Sequence, residues 1–288
     1  MSLSARIVLV LCAVILLYMG VELCIQRGVL VPGLSELQEQ EAGKDLDRCL
    51  AALHREIEVV DTFCIDWGAW DDTYDYVLTR NPAYESANLD VKWFHEINLN
   101  LIFILNSAGE VVWGNIYDLE TEQVLDMPEF PKESWPTTHP LLQHKEPKSS
   151  IAGIVQTGRG PMILASRPVV TSAVEGPIRG TLIMGRFLTQ TVLDNVSKQT
   201  RVAFHLWKRG EREGFPGHPF LPADMSAGPV FYSHGDDDAL LHAATVFPDV
   251  CGEPAFIVQS DTGQDILRRG MEIISVVRLS SVGAGLMM

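Results

Sequence analysis

The sequence predicts an α+β protein: in order, a membrane-spanning helix, a long stalk helix, an antiparallel sheet and a closing helix. Three observations carry this reading. A nineteen-residue apolar run, Ile7–Ile25, contains one charged residue, Glu22. A stretch with apolar residues at three- and four-residue steps follows, over Leu34–Ile65. From Leu99 onward the pattern changes to short apolar runs separated by glycine-containing turns.

At about 1.5 Å per residue, the first run matches a hydrocarbon core of about 30 Å. Arg6 precedes it and Arg27 follows it, so flanking charge does not set its orientation. No small-x-small cleavage site follows Gly20, which favours an anchor (residues 1–27) over a cleaved signal peptide. The segment VLVPGLS reads as a breaker. Beyond it, Leu46, Leu50, Leu53, Ile57, Val60 and Cys64 form an apolar stripe on a stalk helix spanning 34–65. Two readings fit the stripe equally: pairing with a second copy, as a homodimer, or the core helix of a single chain.

LNLIFILNSAGEVVWG is a hairpin around Asn106–Gly109, and SIAGIVQTGRGPMILASRPVV is another around Gly158–Gly160. Arg179–Phe187 supplies a further strand, Leu188–Gln199 a helix, RVAFHLW a strand, and Pro229–Ser260 several more. The Pro-rich segment between the hairpins, Asp118–Leu142, reads as loop with one helical turn. A last helix is expected over Thr262–Val277. Residues 208–272 read as the remainder of the domain. Residues 273–288, apolar but interrupted by Arg278, read as the start of a second membrane helix that is cut off, with an ordinary terminal helix as the rival.

Composition excludes several functions. The net charge is −15, from 37 acids and 22 bases, and no Lys/Arg run is present, so a nucleic-acid partner is not expected. Cys12, Cys24, Cys49, Cys64 and Cys251 show no CxxC pair and no disulfide framework; buried free thiols are expected over a Cys64–Cys251 bridge. The eight histidines form no H-E-x-x-H spacing. YSHGDDDALLHAA, with His234 and His242, reads as a solvated turn rather than a metal site. TGRGP lies in a hairpin and not at a helix start. No G-x-S-x-G elbow occurs, and Cys64 has no catalytic context. No metal, no cofactor and no enzyme activity is expected.

CIDWGAWDDTYDYV, Cys64–Val77, packs two tryptophans, two tyrosines and four aspartates into fourteen residues. On one helix from Asp66 to Val77, Trp67, Trp70 and Tyr74 share a face, while Asp72, Asp75 and Tyr76 fall elsewhere and Asp71 borders the rings. Asp66 is placed to cap a turn. Two readings stand. The rings form a core with the acids in water, or they line a pocket with a carboxylate at its edge, suited to an amine or cation. A calcium loop of the D-x-[DN]-x-[DN]-G type is absent.

DWGAWDDTYDYV closely resembles the signature of the CHASE4 domain, and LIFILNSAGEVVWG and ASRPVVTSAVEGPIRGTLIMGRFL follow in that family's order, over roughly Arg48–Trp207. The resemblance implies a Cache-like, PAS-related sheet outside the membrane, in the periplasm of an inner-membrane receptor, flanked by two transmembrane helices. It also implies a cytoplasmic output of the diguanylate cyclase, phosphodiesterase or histidine kinase type, which this chain does not contain. The expected function is therefore a membrane-anchored sensor that binds a small molecule. The alternatives are a ligand-free scaffold and a periplasmic hydrolase. Within the sensor reading, Asp66, Trp67, Trp70, Asp71, Asp72 and Tyr74 are expected to act architecturally. The tryptophans would be largely buried, and Asp71 or Asp72 would bond to backbone or to Arg167 or Arg186. The ligand would sit over the sheet face, under the loops at about Leu119–Leu142.

Overall fold

In a computed structural model of the chain, residues 2–210, 228–233 and 239–286 are described. The element order is α1 (Leu3–Ile25), a π-helical turn (Gln26–Leu30), α2 (Val31–Gly68), α3 (Asp71–Thr79), α4 (Pro82–Asn88), α5 (Val91–Glu96), β1 (Leu101–Asn106), β2 (Val111–Asp118) and β3 (Gln123–Val124). After a 3-10 turn (Pro140–Leu142) come β4 (Ile151–Thr157), β5 (Gly160–Val169), β6 (Gly180–Phe187), α6 (Gln190–Thr200), β7 (Ala203–Lys208), β8 (Val230–Tyr232), β9 (Leu240–Pro248), β10 (Pro254–Gly263) and α7 (Asp265–Leu286). The chain forms two compact units. One comprises Met1–Asp47, Pro216–Thr245 and Gln259–Met288; the other comprises Arg48–Phe215 and Val246–Val258.

In the smaller unit, α1 exposes Ile7, Val10, Val14, Leu17 and Val21. It is long and apolar enough to cross a membrane, and is the one such helix among the described residues. The expected breaker at VLVPGLS is not a break. Val31 N–H bonds to Gln26 O, five residues back. This wider turn carries the chain past Pro32, which has no N–H to give, and helix continues into α2. The Gln38 side chain then serves α7. Its Nε2 donates to Gly263 O, and its Oε1 accepts from the N–H groups of Ile266 and Leu267 at the start of that helix. Further along, Gly270 is seated against Leu34, whose Cδ1 would lie 2.4 Å from a Cβ at that position. α2 and α7 are therefore packed side by side. β8 pairs with β9 from Val230↔Ala244 to Tyr232↔His242. The Tyr232 hydroxyl donates to Gln259, whose amide donates to Asp261, which also bonds to His242. His234 and the aspartates of the notional metal turn lie outside the described residues.

The larger unit is built on an antiparallel sheet in the order β3-β2-β1-β6-β5-β4. The two hairpins occur where their turns predict. Asn106 Oδ1 accepts from the Ala108 and Glu110 amides, and Gly109 turns the chain at φ +81°. Register sorts the faces, because directly opposed residues share one. Arg167 opposes Leu182, which opposes Ile104; Ala165 opposes Met184, which opposes Ile102. This is the face on which α2 lies. The Cys64 thiol donates to Ala165 O and Leu182 O, and Arg167 and Arg186 reach Asp61 and Glu56. Leu53, Ile57, Val60 and Cys64 are buried. The apolar stripe of the stalk is thus spent on the chain's own sheet.

The opposite face carries Leu101, Phe103, Leu105, Leu164 and Ile183. Here the segment expected to be loop does core work. Leu125, Met127, Phe130, Trp135 and Leu141 pack onto these strands. Phe103 lies 5.6 Å from Trp135 and 6.3 Å from Phe130 between ring centres. Most of the place expected for a ligand, between this face and Leu119–Leu142, is filled by the protein's own side chains, and open space remains only at its Leu119–Leu125 end. α4 and α5 are further helices that pattern reading missed. Each has a legible start: Asn81 caps Ala83 N ahead of Pro82, and Asp90 caps Lys92 N.

Candidate functional site

The aromatic-acid motif is not one helix. α2 runs through Gly68 and stops because the Gly68 carbonyl accepts the Val170 amide, 2.9 Å away, at the end of β5. Gly68 permits the approach: a Cβ there would lie 3.1 Å from Pro168 O. Trp70 is extended, and α3 begins at Asp71. The Asp71 amide donates to Ser172 Oγ at 3.1 Å, and Asp71 Oδ1 accepts from the Ser172 amide at 3.0 Å. Gly68–Asp71 is therefore laced to Val170–Ser172. Asp66 caps nothing: it is an exposed residue in the last turn of α2. Asp72 is exposed in the first turn of α3, where its charge suits the helix dipole.

The rings are distributed differently from the expectation. Trp67 and Trp70 are half-buried rather than largely buried, because the break after Gly68 turns them out of a common face. Tyr74, Tyr76 and Tyr84 are the buried ones. Tyr76 stacks on Tyr84 at 4.4 Å, Trp70 approaches Tyr84 at 5.8 Å, and Thr73 bonds to the Tyr84 hydroxyl at 2.7 Å. Arg179 lies 3.5 Å over the Tyr74 ring and donates to Tyr74 O and Asp75 Oδ1. The cation facing this ring belongs to the chain itself. Neither Arg167 nor Arg186 meets Asp71 or Asp72; both pair with α2. Asp71→Ala should cost about 1–2 kcal/mol, the range for losing a helix-start bond. Asp71→Asn, which keeps the acceptor oxygen, should stay within about 0.5 kcal/mol. Thermal unfolding of the detergent-solubilised chain measures both, and equal losses would mean that charge, not the bond to Ser172, is what matters.

The thiol and histidine chemistry is quiet. All five cysteines are free, with Cys49 and Cys64 buried and the other three exposed. Burial drives the Cys64 thiol far up, away from any reactive thiolate. His144 bonds to Ser149 Oγ and Ser166 Oγ, each at 2.9 Å, but the Ser166 hydroxyl donates to Leu141 O. Burial, reinforced by Arg167, pushes His144 down to about 4. A base whose folded value lies below its ordinary 6.5 costs stability once it must be protonated. The stability allowed by neutral His144 is complete above about pH 6.5 and falls as pH drops from there toward 4. His144→Gln should flatten the unfolding profile in that window, and an unaltered slope would contradict the assignment.

A cavity of about 430 Å³ opens at one end of the sheet, beside the filled face, whose Leu125 and Phe187 reach its wall. It is formed where β6 passes into α6, against the starts of β1 and β5 and the end of β2. Asn100 is fixed there as a strut: its Nδ2 donates to Tyr117 O and its Oδ1 accepts from the Phe187 amide. Phe187 and Leu125 give the cavity apolar wall, and Arg159, Arg186, Asp118 and Glu120 give it charge of both signs. Its volume and mixed lining are those of a small-molecule site. Sequence reading placed the Leu119–Leu125 part of its wall beside a ligand and missed the rest, because the lining comes from four stretches of chain, each of which looks like an ordinary strand end or turn. Among the described residues no group of His, Cys, Asp and Glu is arranged to hold a metal ion.

The CHASE4 domain profile matches residues 52–207. The methanogenesis regulatory histidine kinase FilI of Methanothrix harundinacea (strain 6Ac) is 25% identical over 244 residues, 84% of this chain; the chain spans 26% of that relative's length. Among solved structures, the extracellular domain of vpHK1S-Z8, described as a histidine kinase, superposes with a TM-score of 0.54 at 14% identity, over 83% of this chain and 95% of that one. A domain of a sensory box/GGDEF family protein from Vibrio parahaemolyticus gives 0.50 at 12% identity, over 80% and 98%. The two solved domains share this chain's fold over most of its length.

Proposed function

Because the chain belongs to the CHASE4 domain family, we propose that it is a membrane-anchored, extracytoplasmic sensor that binds a small molecule and relays its presence to an output module. The curated relative is a histidine kinase, which supports a kinase output in preference to cyclic di-GMP chemistry. The observation that carries the reading is the edge cavity, whose wall includes Arg186, the residue that ties β6 to Glu56 on α2. A ligand that alters this tie alters the seating of α2 on the sheet. It can do so only by binding one seating better than the other. α2 is continuous with the apolar α1, so a change in its seating has a route toward the bilayer.

Pairing of two copies through α2 belongs to the same proposal. Since the apolar stripe faces the sheet, such pairing would use the exposed side that carries Ala51, Val59 and Thr62. Alkaline phosphatase fusions after Gly109 and after Gly210 test the topology. Activity at both positions is expected, and fusions that are silent for phosphatase but active for a cytoplasmic reporter would overturn the sensor reading.

A further inference from the structure

On the sensor reading, and resting on it, we propose that the edge cavity takes a small organic oxyanion, one carboxylate with or without a neighbouring ammonium group, and that the anion competes with Glu56 for Arg186. Arg186 is 92% buried, being 8% exposed, and lines the cavity. Its Nη2 is engaged by Glu56, while its Nε is buried with no hydrogen-bond partner. A guanidinium offers five N–H donors in a planar fork suited to a carboxylate, and because Nε is closed to solvent it meets a ligand oxygen only when the side chain turns away from Glu56, which is the competition proposed.

A second, independent group of donors meets the same space. The eleven-residue helix α6 starts at the cavity, with Thr189, Thr191 and Val192 in its wall. Thr189 stands at the cap position, yet its hydroxyl makes no capping bond. The first-turn amides of Gln190 and Thr191 have no intrahelical acceptor and carry the positive end of the helix dipole. Arg159 adds a second guanidinium from the β4–β5 turn.

The acids in the wall narrow the class. Asp118 accepts the amides of Glu120 and Thr121, and these bonds, together with Arg159, hold its carboxyl below the usual range. It therefore stays charged beside the ligand. A multiply charged anion is disfavoured, and an ammonium group on the ligand finds a partner.

The test is calorimetric titration of the full chain in detergent micelles with L-alanine, acetate, succinate, inorganic phosphate and putrescine. L-Alanine or acetate is expected to bind, with succinate and phosphate weaker. Arg159→Ala should weaken binding about tenfold, the size of one charged hydrogen bond. Glu56→Gln should strengthen it about tenfold, because it removes the competitor for Arg186. The Glu56 result is the discriminating one, since a merely structural role would leave binding unchanged or weaken it. Failure of every anion to bind, or tighter binding of phosphate than of the carboxylates, overturns the proposal. Binding of putrescine alone, lost in Asn195→Trp, overturns the oxyanion class while leaving the cavity as a ligand site. Loss of the sensor reading itself is seen separately, in the reporter fusions.

Discussion

Trp135→Ala is expected to destabilise the protein by about 3–5 kcal/mol, the cost of emptying a core tryptophan site. Trp135 is 3% exposed, although it sits in a Pro-rich stretch with no regular element around it. Its ring lies between Phe103 and Phe130, and its indole N–H donates to Pro131 O at 2.8 Å. Its backbone N–H donates to Gly109 O, so the same residue pins the β1–β2 turn. Gly109 has no room for a side chain there, since a Cβ would lie 2.4 Å from Trp135 O. Thermal unfolding of the solubilised chain measures the effect. A loss below about 1 kcal/mol would mean that the segment is a surface loop and the sheet face is open after all.

Asp61→Ala is expected to cost about 3–5 kcal/mol, because it leaves the Arg167 guanidinium buried without its counter-charge. Asp61 receives two N–H groups from Arg167, one at Nε (2.7 Å) and one at Nη2, and a third bond from the Ser150 hydroxyl at 3.0 Å. The paired side chains are only 19% and 14% exposed. The double replacement Asp61→Leu with Arg167→Met should recover much of the loss, since apolar side chains of similar volume remove both desolvation penalties. A double mutant as unstable as the sum of the single changes would argue against a direct pair. Removing Arg167 also removes a positive neighbour that holds His144 down, so in Arg167→Met the loss of stability below about pH 6.5 should be smaller and should level off at a higher pH.

What could be read from residues alone divides along the range of the interactions. The α2 stripe and the two hairpins were legible because helix period and Gly-containing turns are local signals. The course of Trp67–Asp71 was not. The bonds that end α2 and start α3 come from Val170 and Ser172, about a hundred positions away. Glu56 and Asp61 lie outside the apolar stripe, and nothing local shows that both are committed to arginines on the sheet. The segment from Leu125 to Leu141 shows no period, so its five core side chains gave no pattern. The starts of α4 and α5 were available locally, in Asn81-Pro82 and Asp90, and were passed over. Beyond its Leu119–Leu125 side, the edge cavity was out of reach, because it exists only where four stretches of chain meet.

Hydrogen exchange of the solubilised chain, with and without saturating L-alanine or acetate, tests the central claim most directly. If the edge cavity is the sensing site and Arg186 links it to α2, amides at Gln190 and Thr191 should exchange more slowly with ligand, and those of α2 around Glu56 should exchange faster. Protection confined to residues 125–141 over the sheet face, with α6 and α2 unchanged, would contradict it.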